Sequence, residues 1–267
     1  MKFLLTLFIC CFYITGFAQE KSKTDTVLII TVDSTKKAHK KVNVRIDKQT
    51  DTAKKVIKPS SKFFAKMTFS RIDLGLSKNI DNGSFTLSPA NAFLESETWK
   101  STNFGFDLFE MAYRFNSYFK IYLSAGFDWN HMRLKQNITI LPDQPSLSYR
   151  TDTIDYKKNR FSNQYLRVPL GIQLRSKDDK DGKKIYFVAG PEIGILLNGK
   201  VKQHSSERGR EKVRDDYNFE PFRYGAYARF GYGSWGIYTK YYFNDVFAKE
   251  QGPSDFRNMS FGLMLGF

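Results

Sequence analysis

The sequence predicts an all-β fold: an eight-stranded antiparallel transmembrane β-barrel with an N-terminal periplasmic tail. Three observations predict it. Beyond residue 63, apolar residues recur at every second position in eight separate segments, the period of a strand with one apolar face. The gaps between those segments alternate short and long, the asymmetry of a bacterial outer-membrane barrel. After an export signal, no run approaches 18 consecutive apolar residues. No later helix is then long enough to span a bilayer, and a closed barrel is the other element that can.

The chain opens with "MKFLLTLFICCFYITGFAQE". Lys2 is followed by an apolar run from Phe3 to about Thr15, and small Gly16 and Ala18 precede Gln19. This predicts a secretory signal peptide over residues 1–18. Cys10 and Cys11, the two cysteines of the sequence, lie inside it. A mature chain without cysteine excludes disulfides, thiol catalysis and cysteine-bound metal.

Residues 19–62 read as a basic periplasmic tail or linker. Residues 20–62 hold 12 Lys/Arg against 5 Asp/Glu, and residues 63–267 hold 29 against 22. The short tail therefore carries as much excess positive charge as the rest of the mature chain. An exported chain rarely meets nucleic acid, so anionic envelope components are the better partner. Within the tail, "TVLIITVD" and "KVNVRI" have the composition of short strands, and "KQTDTAKKVIKPSSK" that of a linker.

Residues 63–267 form the predicted barrel. The first strand, about 70–77, sets Ile72, Leu74 and Leu76 on one face. The second, about 103–115, begins with Phe104, Phe106 and Leu108 and slips phase at Leu108–Phe109, which predicts a bulge. The third, about 118–133, alternates from Phe119 to Trp129. The fourth is "QYLRVPLGIQLRS", with Leu166, Val168, Leu170, Ile172 and Leu174 on one face. The fifth, about 184–198, turns Ile185, Phe187, Ile193, Ile195 and Leu197 outward. The sixth and seventh cover about 221–232 and 235–243, and the eighth is the closing "RNMSFGLMLGF". Pro169 and Pro191 fall inside strands, where proline cannot donate to the ladder, so a bulge is expected at each. Short gaps follow the even strands and long gaps, about 78–102, 134–161, 199–220 and 244–256, follow the odd ones. An even strand number puts both termini in the periplasm. Phe, Tyr and Trp, at 16% of the sequence, gather near strand ends as interfacial girdles do.

The second face of each strand then points into a lumen. Arg71, Lys120, Arg167, Arg175, Arg223, Arg229 and Lys240 share that face with Asp73, Asp107, Asp128 and Glu192. Buried charges need partners, and this set permits a structural network, with inward glycines such as Gly105 and Gly171 leaving room for long side chains.

With "FSRIDLGLS", "QYLRVPLGIQLRS", "VAGPEIGILLNGKV", "RYGAYARFGYG" and "NMSFGLMLGF" in place, residues 63–267 resemble the PorT-like outer-membrane barrels of Bacteroidetes. That resemblance implies location in the outer membrane. The family's namesake belongs to a protein-secretion apparatus, a role that fold likeness does not transfer. The terminal Phe267 resembles the signal recognised by barrel-assembly machinery.

Motifs for chemistry are sparse. His131 lies three residues after Asp128, and "DDKDG" lacks the downstream Glu of a calcium loop, Val188 standing at that place. No metal, cofactor or catalytic set is expected. Three Asp-Thr-apolar triplets, at Asp25, Asp51 and Asp152, match Bacteroidetes O-glycosylation sites. The expected function is a non-enzymatic barrel, a structural or partner-docking component of the envelope, with lipid, assembly machinery and envelope or secretion proteins as partners. A small-solute pore, an outer-loop ligand binder and a rim-sited hydrolase are the alternatives.

Overall fold

The computed structural model describes residues 27–32, 42–47 and 62–266. The predicted signal peptide and Phe267 lie outside the described residues. Eight strands close the barrel: β3 (Phe63–Asp81), β4 (Thr102–Arg114), β5 (Phe119–Arg133), β8 (Tyr156–Arg175), β9 (Ile185–Ser205), β11 (Phe222–Tyr232), β12 (Trp235–Tyr242) and β13 (Phe256–Gly266). Each pairs antiparallel with the next, and β13 returns to β3 from Phe256↔Asp81 to Gly266↔Arg71. Among the described residues no helix is long and apolar enough to cross a membrane.

Two short strands precede the barrel. β1 (Val27–Val32) and β2 (Val42–Asp47) pair as a hairpin. β1 also pairs with β3 from Leu28↔Met67 to Thr31↔Phe64, on the edge that β13 occupies further along. Two more hairpin pieces decorate the long-loop end: β6 (Ile138–Ile140) with β7 (Tyr149–Thr151), and β10 (Gly209–Asp215) on β9.

All eight predicted strands are present, and the bulge expected at Leu108–Phe109 is the register shift between Asp107 and Phe109. The expected bulges at the prolines are not. Register stays in step from Tyr165↔Leu196 to Arg175↔Tyr186, and the ladder is simply interrupted between Pro169↔Glu192 and Ile172↔Ala189. A missing N–H removes a pair without inserting a residue. β8 and β9 are longer than predicted, 20 and 21 residues. A spanning strand needs about 9–11, so both project well past the membrane.

The outside is apolar where lipid would lie. Leu74, Leu170, Ile172, Ile193, Ile195, Phe230, Ile237 and Leu263 are all exposed. A continuous belt of this kind marks a membrane-facing surface, since soluble monomers rarely expose so large an apolar patch. Aromatic rings sit towards its ends: Tyr113, Phe115 and Phe119 at the short-turn end, and Tyr224, Tyr241 and Phe243 at the other.

The lumen is filled in layers. A charged layer occupies the middle. Towards the long loops comes an amide layer, where Asn258 donates to Ser77 and Asn79 at 2.9 Å each and Asn103 donates to Asn130 at 2.8 Å. An apolar plug then closes that end, built from Met132, Phe161 and Val201 on the barrel strands and Leu94, Leu134, Ile138, Tyr217, Phe219 and Phe247 from the segments beyond them. Phe161 stacks on Phe219 at 4.7 Å.

Packing against the inward tyrosines leaves no room for side chains at some positions. A Cβ on Gly171 would lie 2.4 Å from the Tyr122 ring and 2.6 Å from the Tyr227 hydroxyl. Overpacking of this kind costs about 1–3 kcal/mol. Gly171→Ala is therefore expected to lower the unfolding free energy of the refolded barrel, measured in urea, by that amount, and an unchanged value would show that the rings move aside freely.

Candidate functional site: a charged lumen and an outward cation sheet

Arg167 stands at the centre of the charged layer with no solvent exposure. Its Nη1 lies 2.6 Å from Asp73 Oδ2, its Nη2 2.8 Å and its Nε 3.0 Å from Asp107 Oδ1. Lys240 bridges Asp73 and Asp128 at 2.9 Å each. Arg223 donates to Asp128 Oδ2 at 2.6 Å and is sandwiched between the Tyr165 and Tyr242 rings, 3.9 and 4.1 Å from their centres. Arg229 reaches Asp73 at 3.1 Å and Asp107 at 3.8 Å. Arg71 pairs with Glu110 at 2.6 Å and Asp107 at 3.4 Å, and Lys120 pairs with Glu110 at 2.8 Å.

Nine of the eleven lumen residues singled out from the sequence thus meet in ion pairs. The other two do not: Glu192 accepts from the Tyr242 hydroxyl at 2.5 Å, and Arg175 donates only to Gln173, at 3.2 Å. Glu110 was not singled out. It lies beyond the bulge at Leu108–Phe109, which turns its phase inward, and carrying that slip forward along the strand would have found it.

Asp128 and His131 do not form a pair. Asp128 points into the lumen, and His131, three residues on, points out, with Nδ1 2.9 Å from Ser162 Oγ. The "DDKDG" segment is a turn in which Asp179 Oδ1 accepts from the backbone N–H groups of Asp181 and Lys183.

A second feature lies on the outside, where β5, β8, β9 and β10 run past the apolar belt. Arg133 is directly opposite Arg160, Arg160 opposite Lys202, and Lys202 opposite Lys212. The neighbouring rows set Lys200 opposite Arg214 and His204 opposite both Lys158 and Arg210. Paired residues share a face, so these Lys and Arg side chains form one outward sheet. Only Arg133 approaches a carboxylate among the described residues, Glu97 at 3.9 Å. Like charges directly opposite one another destabilise a sheet, so the arrangement is unfavourable in itself. The sheet begins just beyond Leu166, Leu197 and Trp129, the last apolar outward residues of β8, β9 and β5.

The β6–β7 loop is fastened by a carboxylate. Asp152 accepts from Thr139 at 2.5 Å, Tyr156 at 3.0 Å and Arg150 at 3.1 Å. Burial pushes its pKa up, but these hydrogen bonds outweigh burial and hold it below the ordinary carboxylate value. A depressed folded pKa contributes stability that is complete above the unfolded value, about 4, and is lost as pH falls through the folded value. Amide-exchange protection in β6–β7 is expected to weaken on acidification below about pH 4. Asp152→Asn is expected to lower that protection at pH 7 by about 1–2 kcal/mol and to flatten the pH response. Equal acid sensitivity in the variant would exclude Asp152 as the cause. Within the same triplet Thr153 is exposed and Ile154 buried; the Asp25 and Asp51 triplets fall in segments only partly or not described.

Comparison with known proteins agrees with this architecture. No curated protein matches the chain. Two solved structures of Ail, the attachment invasion locus protein of Yersinia pestis, one with the heparin analogue sucrose octasulfate, are 15% identical to it. They cover 73% and 77% of this chain and 94% and 97% of their own, at TM-scores of 0.31 and 0.32. Superposition that loose carries no argument about this chain. The family comparison does: residues 65–248, most of the barrel, match the outer membrane protein beta-barrel domain, and the chain belongs to that family.

Proposed function

We propose that the protein is a non-enzymatic outer-membrane barrel that docks a phosphate-bearing glycolipid of the outer leaflet on its outward cation sheet. The observation that carries this reading is the row Arg133–Arg160–Lys202–Lys212 across four strands, immediately beyond the lipid-facing belt. At that height an outward side chain meets headgroups, and lysine and arginine are the side chains that bind phosphate. In this reading the long loops face outward and both termini lie in the periplasm, as the alternation of short turns and long loops favours. The ion pairs of the lumen hold the barrel's interior together and take no part in docking.

Of the alternatives, the pore and the rim hydrolase have no comparable support. The lumen is occupied by paired charges and closed by an apolar plug, a poor path for solutes. The rim pair that a hydrolase needs is split between opposite faces of β5. The resemblance of residues 63–267 to PorT-like barrels supports a Bacteroidetes origin, and a part in protein secretion does not follow from it. Native purification tests the docking reading. Wild-type barrel taken from outer membranes in mild detergent is expected to retain anionic glycolipid, released by salt, and Arg210→Gln/Lys212→Gln/Arg214→Gln to lose it. Equal retention by both proteins would sink the proposal.

A further inference from the structure

The short-turn end of the lumen is a different environment. Here a cavity of about 420 Å³ opens between β3, β5, β8 and the β8–β9 and β11–β12 turns. Not one of its lining residues is acidic, and seven are Lys or Arg. Four of those seven have carboxylate partners: Arg71, Lys120 and Arg229 turn towards the charged layer, and Lys184 pairs with Asp178 at 2.8 Å.

The remaining three form no ion pair among the described residues, although Glu110, directly opposite Lys66 on β4, attracts both Lys66 and Arg175 from a distance. Lys66 and Arg175, both half-buried, have no carboxylate within 4.0 Å among the described residues, and Lys183 lies only over the Tyr232 ring. Donors also stand free: the Nε of Arg175 and the Nε of Arg229 are buried without an acceptor. Arg229 is itself fully buried, so its free donor is fixed in direction. Cations from strands far apart in sequence are thus brought to one cavity with unspent hydrogen-bonding capacity. An unpaired buried donor is unfavourable, and an anion offering several acceptor oxygens would satisfy more than one at once. The chain's own tail has the wrong charge to do so, with 12 Lys/Arg against 5 Asp/Glu over residues 20–62.

We infer that this mouth is a binding site for a phosphate monoester, held by Lys66 and Arg175 with Arg229 Nε at its base. Phosphate fits better than carboxylate because its oxygens point in several directions and match donors arriving from separate strands. The volume exceeds a bare phosphate and leaves room for the small group that carries it. The site lies at the opposite end of the barrel from the outward cation sheet and does not depend on docking there.

The test uses the full chain refolded in a neutral zwitterionic detergent. Inorganic phosphate is titrated against sodium chloride at matched ionic strength, and the unfolding temperature is followed. Phosphate is expected to raise that temperature well beyond chloride in the wild type. Lys66→Gln and Arg175→Gln are each expected to weaken the apparent phosphate affinity at least tenfold, a loss of about 1.4 kcal/mol. Neither substitution strands a buried carboxylate, and heat-modifiable migration on gels checks that each variant folds. Arg210→Gln/Lys212→Gln/Arg214→Gln removes any share of the response that arises on the outward sheet, and in that background Lys66→Gln and Arg175→Gln are expected to cause the same tenfold loss, which separates this site from the docking surface. Competition by short-chain phosphatidic acid would identify a lipid headgroup as the source, and no competition a soluble phosphate ester; either supports the site. A wild-type response no greater than that to chloride, or an undiminished response in the folded variants, would overturn it.

Discussion

Arg167→Met is expected to destabilise the barrel by about 3–5 kcal/mol, the usual effect of removing one partner from a buried ion pair. Arg167 is the cation shared by Asp73 and Asp107, with Asp128 Oδ1 also 3.6 Å away. All three carboxylates are fully buried. Methionine fills much of the arginine's volume and supplies no charge, so the loss comes from the anions left behind rather than from a void. Urea unfolding of the refolded protein, read by heat-modifiable migration, measures it. Asp107→Asn in the Arg167→Met background is expected to recover part of the loss, because Asp107 is then left with only its longer pairs to Arg71 and Arg229, 3.4 and 3.8 Å. Arg257→Met is the control. Arg257 pairs with Asp255 in a largely exposed position, where ion pairs contribute about 0–1 kcal/mol. Equal effects at Arg167 and Arg257 would mean that the lumen is wet and the charged layer screened.

The second large effect concerns affinity. Each Lys or Arg close to an anionic lipid surface contributes about 1 kcal/mol. Replacing Arg210, Lys212 and Arg214 by glutamine is therefore expected to weaken glycolipid binding by about 3 kcal/mol, on the order of a hundredfold. The wild-type affinity itself is expected to fall steeply with salt, since exposed charges are screened beyond about 10 Å at 0.1 M. Stability should move the other way. In glycolipid-free detergent the variant removes directly opposed like charges, Lys202 with Lys212 and Lys200 with Arg214. It is expected to be as stable as the wild type or slightly more so, by a few tenths of a kcal/mol per pair. Weaker binding together with unchanged or higher stability is the signature of a docking surface. Loss of both would mark these cations as structural.

How far the sequence revealed all this depended on contrast between strand faces. Where one face meets lipid and the other a charged lumen, as from Leu166 to Leu174, alternation is unmistakable and the strand is found. Past the membrane the contrast fades. Lys158, Arg160, Lys200 and Lys202 face out opposite a mixture of Asn159, Phe161, Val201 and Gln203 facing in. That stretch reads as loop, so the outward cation sheet could not be seen before its strands were known. Register shifts hid the rest. The shift between Met67 and Arg71 concealed the first turn-side residues of β3, and the shift where Gln164 pairs with Asn198 and Tyr165 with Leu196 reversed the face of everything beyond Leu197. β10 lay in a segment too charged to suggest a strand. The short strands in the tail were visible as composition, but nothing local showed that β1 would lie along β3.

That last pairing bears on how the barrel comes to be closed. The seam joins the first and last barrel strands, which are far apart in sequence, and such contacts form late. Until then β3 offers an open edge to any strand of the right period, and a slip by one residue would turn every side chain of β13 to the wrong face. The β1–β2 hairpin is local and can form early. By holding Phe64–Met67 it leaves β13 the stretch from Arg71 to Asp81 and no further. The hairpin then acts as a doorstop, fixing where the closing strand must halt before the wall is sealed.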